Sequence, residues 1–205
     1  DQDCNGFEIR GPEEVVFDWS VDRCEDLDIP DFPARAFLDR SGQVQLISSH
    51  ATVRRFLGPD LNDLTHDCMV VMTSNHDPDP GMFNDVEWIG ATYTDDGETI
   101  YAIIHNEYEG WTHPGQCSTP FWSANCWYNG LTLAVSTDAG NSYGHPLFPP
   151  LHHIAGTPWQ YVPDRGPRGI FHPSSVLKRG DGYYYAIVQR VGGGAPDDTS
   201  QWACL

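Results

Sequence analysis

Residues 136–143 read STDAGNSY, and two motifs with opposite consequences overlap there. Gly140-Asn141-Ser142-Tyr143-Gly144 fits G-x-S-x-G, the nucleophile elbow, which would make Ser142 a catalytic nucleophile. Read from Ser136, the same letters fit S-x-D-x-G-x-S-Y, a turn. In it Asp138 accepts backbone N–H bonds, Gly140 supplies a positive φ and Tyr143 packs beneath. The flanks decide between them. An elbow needs a strand before it and a helix after it. The strand is present as LTLAV, residues 131–135. On the other side, GHPLFPPLHH at residues 144–153 holds three prolines, which oppose a helix. The stretch reads as a turn, with Ser142 structural.

Turns of this kind punctuate the rest of the chain. Residues 34–50, 89–108 and 173–190 each read as a strand, a glycine turn and a more apolar strand ending in polar groups. The turns are Ser41-Gly42, Asp96-Gly97 and Asp181-Gly182, which are hairpin signals. Further strands are expected over 52–57, 69–73 and 131–136. Residues 10–27 offer room for one helical turn. The pattern predicts an all-β fold built of four-stranded meanders, a β-propeller with five blades when complete. Residues 1–33 form an extended segment. Residues 34–205 form two blades and the start of a third, about half of the ring, continuing beyond Leu205 or completed by a further chain. A β-sandwich is the alternative.

Composition agrees. Glycine (20) and proline (16) suit short strands and turns. Lys+Arg is 11 against Asp+Glu 29, a net charge of −18. So acidic a chain repels phosphate backbones, which argues against nucleic acid as a partner. No run approaches the ~20 apolar residues that cross a bilayer. The six cysteines lack zinc-site spacing and suit disulfides in an oxidising compartment. Cys117 with Cys126, and Cys4 with Cys24, are the expected pairs. The chain reads as a secreted protein.

Ser136, Asp138, Gly140, Ser142 and Tyr143 resemble the Asp-box (BNR) motif of sialidases and related propellers. The resemblance places this turn between the outer strands of a blade, away from the active site. The stretch FPARAFLDRSGQVQLISS, residues 32–49, resembles the first-blade region of sialidases, where an Arg on the innermost strand binds the substrate carboxylate. Arg35 would be that residue, although Pro33-Ala34-Arg35 differs from the family's Arg-Ile-Pro order. More broadly, residues 30–190 resemble glycosidase propellers, including five-bladed ones with acidic residues at the starts of the innermost strands.

Propeller sites lie where inner strands begin and the next strands end. Glycoside hydrolysis needs two carboxyl groups across the scissile bond, one as acid and the other as base or nucleophile. Glu107 or Glu87 is expected as the acid and Asp31 as the base. Arg35, His50, Arg55, Asp67, Trp88, His105, Asn106, Tyr108, His172 and Arg190 are expected to bind substrate. Arg54 and Arg55 point to opposite strand faces, so at most one reaches a site. Asp28, Asp31 and Asp85 also read as ordinary solvated acids, whereas His105-Asn106-Glu107-Tyr108 closes an apolar run and needs partners. His113 and His152-His153, in Pro-rich loops, read as surface or rim groups. Trp88, Trp111, Trp122 and Trp127 suit either sugar stacking or gap filling. No metal or cofactor is expected, an axial calcium ion apart. The expected function is a secreted glycoside hydrolase acting on extracellular glycans. The alternative is a non-catalytic extracellular propeller that binds glycan or protein or joins a surface assembly.

Overall fold

The computed structural model describes residues 15–48, 50–192, 198 and 200–205. The described residues are all-β, with one α-helical turn at Trp19–Asp22 capped by Asp18 and three short 3-10 turns at Pro80–Met82, Gly110–Thr112 and Ala124–Cys126. The first sheet is an antiparallel meander of β1 (Arg35–Leu38), β2 (Val44–Ile47), β3 (Val53–Asp60) and β4 (Asp63–Met72). The second begins with the pair β5 (Val86–Tyr93) and β6 (Ile100–Glu109), followed by β7 (Trp127–Ser136), which carries the short β8 (His153–Ala155). It continues through β9 (Arg168–Phe171). Next come the small β10–β11 ladder (Leu177–Lys178, Tyr184–Tyr185) and the edge pair β12 (Val188–Val191) and β13 (Gln201–Cys204).

The three glycine turns close hairpins where the sequence places them, β1–β2, β5–β6 and β10–β11. The expected strands after them overlap β3, β4 and β7. Alternation then sets the faces. In β6, Ile100, Ala102 and Ile104 are fully buried while Tyr101 is exposed. With Ile89 and Ala134 they pack on Ile47, Val53, Val71 and Met72 of the first sheet.

The first meander stands as a separate sheet, but the second and third units do not separate. Among the described residues the strands do not close into a ring, and the second and third units merge into one seven-stranded sheet ordered β13-β12-β9-β7-β6-β5. The cause is β7, whose outer edge is shared. Leu131 and Thr132 pair antiparallel with β8, while Tyr128 and Asn129 pair parallel with Arg168 and Gly169 of β9. Gly169 makes this possible. Its φ is +122°, and a Cβ there would lie 1.9 Å from the Asn129 carbonyl oxygen.

The 136–143 turn is built as read. The Asp138 carboxylate accepts from Ser142 N–H at 3.0 Å and from both the Ser136 and Ser142 hydroxyls at 2.7 Å, while Gly140 N–H donates to Ser136 Oγ at 2.8 Å. These donors hold the Asp138 carboxyl below its usual range against the opposing effect of burial. The turn also stitches the sheets together. Arg55 donates to Gly140 O and to Asn141 Oδ1, each at 2.8 Å, and Gln45 donates to Ala139 O at 2.7 Å.

Cys117 pairs with Cys126 as expected, but Cys24 pairs with Cys68 rather than Cys4. Asp28 and His66 bring the N-terminal segment against β4, which sets the two sulfurs together. Cys4 lies outside the described residues. No helix among them is long and apolar enough to cross a membrane.

Candidate functional site

At the end of β6 opposite the turn, polar and aromatic side chains gather from several segments. Asp31 and Phe32 precede β1, His50 follows β2, Trp88 is on β5, and His105 and Glu107 are on β6. Trp127 opens β7, Phe171 ends β9 and His172 follows it. His105 is fully buried and its Nε2 lies 2.7 Å from Glu107 Oε1. Trp127 Nε1 donates to Glu107 Oε2 at 2.8 Å, so both oxygens of this carboxylate are held. The His105 ring stacks on His172 with centroids 5.1 Å apart, and Phe32 lies 5.3 Å from each of them. Trp88 lies 5.5 Å from His50, whose Nε2 is 3.8 Å from Asp31 Oδ2. Asp31 is about half exposed (53%). Burial and the adjacent His105 push His172 down, opposed by its Gln189 contact and by the charges of Glu107 and Asp31. Both carboxylates therefore act on one imidazole. An open groove of about 480 Å³, lined by Pro33, His172, Ile187, Gln189 and Trp202, starts here.

Of the expected site residues, Asp31, His50, Trp88, His105, Glu107 and His172 come together. The others stand elsewhere. Arg35 donates to three carbonyls, Gly90 O at 2.8 Å, Pro173 O at 2.9 Å and Ala34 O at 3.0 Å. Arg55 clamps the 136–143 turn and pairs with Asp67 at 3.3 Å. Arg54 pairs with Glu25 at 2.5 Å, so neither arginine of β3 faces the cluster. Asn106 turns to Val86 O, Tyr108 donates to Pro78 O, and Arg190 caps Gly192 O. Glu87 is on the opposite face of β5 from Trp88.

Several groups read as solvated are buried. Asp28 and Asp85 are 4% and 1% exposed. Asp85 accepts from Glu109 N–H at 2.9 Å and contacts His113 Nε2 at 2.9 Å, which is why His113 is not a surface group. His152 is 1% exposed because its Nε2 donates to Phe83 O at 2.9 Å beneath the β7–β8 pair. Burial, then the neighbouring His145, lowers His152 to about 4.

Glu109 escaped the sequence reading. It shares a strand face with Glu107, two residues away, and this i, i+2 spacing was the available signal. Burial, then the charges of Glu107 and Asp85, raises it to about 7. A carboxyl that is still about half protonated at neutrality thus stands beside one whose oxygens are both engaged, a division of roles that suits acid–base chemistry.

No protein-family model matches the chain. No curated protein matches it either. Among solved structures, it is similar to a bifunctional GH43-CE protein of Bacteroides eggerthii, at 14% identity and a TM-score of 0.47 over 83% of this chain. The match spans 18% of that protein's length.

Proposed function

We propose that the cluster around His105 is the catalytic part of a secreted glycoside hydrolase built on an Asp-box β-propeller. The observation that carries this reading is the meeting of Asp31 and Glu107 with Trp88, Trp127 and three histidines, drawn from separate segments of the chain. Glycosidic cleavage needs a proton donor, a carboxylate and apolar faces on which a sugar stacks. Glu109 is the general acid, a role that its raised pKa favours over Glu107. Burial, helped by the charge of Glu107, which His105 and Trp127 fix in place, favours the protonated form of Glu109. Asp31, exposed beside His50, activates water or attacks the anomeric carbon. Arg35 and Arg55 are engaged by the protein itself, so nothing favours an acidic sugar over a neutral one.

The test is turnover of a panel of aryl glycosides and oligosaccharides by the purified chain. Wild type should hydrolyse at least one. Asp31→Asn and Glu109→Gln should each lose about 10²–10⁴-fold in rate, the first with an unchanged thermal midpoint and the second with one no lower than the wild type's. Glycan binding without turnover would replace this reading with a non-catalytic glycan-binding propeller. Neither binding nor turnover would reject both.

A further inference from the structure

A second cluster of ligating groups lies on the other face of β5. Glu87 is 1% exposed, His152 is 1% exposed, and the His145 side chain is 13% exposed. One donor atom from each falls within 4.8 Å of the others. Each imidazole is oriented by a backbone carbonyl. His145 Nδ1–H donates to Leu133 O at 2.8 Å, which turns its Nε2 toward the Glu87 oxygens at 3.0 and 3.3 Å. His152 Nε2–H donates to Phe83 O at 2.9 Å, which leaves Nδ1 with the lone pair. That Nδ1 is buried with no hydrogen-bond partner, and the two rings lie 4.1 Å apart.

An ion pair between His145 and Glu87 accounts for two of these groups. It leaves the His152 lone pair stranded, at a desolvation cost of about 1–3 kcal/mol. A divalent cation satisfies all three. Metal-bound histidines commonly donate their other N–H to a backbone carbonyl, and both histidines here do so.

We propose that Glu87, His145 and His152 form a binding site for a first-row divalent metal ion, zinc by ligand type. Two imidazole nitrogens and one carboxylate oxygen make a set that zinc accepts, with a fourth position left for water. Bonds of about 2.0–2.1 Å put tetrahedral donors roughly 3.4 Å apart. Donors that lie within 4.8 Å of one another therefore close by no more than about 1.4 Å on binding. Coordination displaces the proton from His145 Nε2 to solvent. The fourth position opens on a pocket of about 330 Å³ bordered by Val70, Thr73, Asn75 and Tyr143. Among the described residues the other two groupings of potential ligands, Cys24-His66-Cys68 and Cys117-Cys126-Asp164, spend their sulfurs in disulfides.

The probe is Co²⁺, whose visible absorption reports coordination number, followed by displacement with Zn²⁺. Metal-stripped chain in ~0.15 M salt with excess Ca²⁺, which occupies surface carboxylates, should take up one equivalent. It should develop the intense bands of a four- or five-coordinate site. His145→Ala, His152→Ala and Glu87→Gln should each weaken uptake at least about 100-fold, while His50→Ala should leave it unchanged. Glu87→Gln matches the native residue in size and serves where a histidine variant fails to fold. Absence of the bands in the wild type would overturn the proposal, as would bands that persist in Glu87→Gln and in every folded histidine variant.

Discussion

The two ends of the β6–β7 pair differ in how they treat buried polar groups. At the Ser136 end the buried Ser136, Gln45 and Arg55 each have named partners, Gln45 and Arg55 join the two sheets, and the Tyr143 hydroxyl is the buried group left without a partner among the described residues. At the Glu107 end, His105 Nδ1 and Trp88 Nε1 are buried with no hydrogen-bond partner. The first end commits its charged and amide groups to a structural joint. The second carries unsatisfied groups of the kind that natural proteins retain where function demands them.

This contrast breaks most visibly at Arg55. Arg55→Ala leaves Gln45, Asp67 and Gly140 O without their shared donor, and should cost about 3–5 kcal/mol in urea denaturation. A loss below about 1 kcal/mol would mean that the sheets are held by their apolar interface alone. Asp138→Ala removes acceptors from three donors within the turn and should cost about 1–3 kcal/mol by the same measurement.

At the other end the effects on stability are smaller, and one depends on pH. With Glu109 raised to about 7 from an ordinary 4.5, the folded chain keeps a proton that the unfolded chain has released. Stability therefore falls as pH rises from about 4.5 to about 7, then levels off. Glu109→Gln should remove that slope, so that the variant gains on the wild type at pH 8 and matches it at pH 4. Thermal melts across this range check it, and parallel curves would show that Glu109 is solvated. Smallest is Glu107→Gln, expected to shift stability by about 1 kcal/mol or less while hydrolysis is lost. A large destabilisation there would make Glu107 a second joint and erase the contrast.

Much of the architecture was legible because its signals are local. Glycine turns between apolar runs mark the hairpins, and the run of prolines after Tyr143 settles the 136–143 turn. The cluster of Asp31, His50, Trp88, His105, Glu107 and His172 was legible because strand ends in such a repeat converge. What escaped was set by tertiary contact. Arg35 looks like a ligand for an anion, yet carbonyls supplied by residues 90 and 173 take up its guanidinium. No local pattern announces that β9 will join β7 in parallel, since this depends on backbone approach at Gly169. His145 and His152 sit among prolines that signal a loop, and only the packing of that loop against Phe83 and Leu133 buries them. Glu109 was hidden by its own neighbour, the more conspicuous Glu107.

Arg35 also bears on the order of events in folding. Its Nη2 reaches Pro173 O across 138 residues of chain. The β1–β2 hairpin can form early from local contacts, but its arginine waits for a distant segment before its charge is accommodated. Closing so long a loop is slow and costs entropy before it returns any contact. During synthesis this contact therefore forms only after the third unit has emerged, so that a segment made later adds a tie to one of the earliest strands.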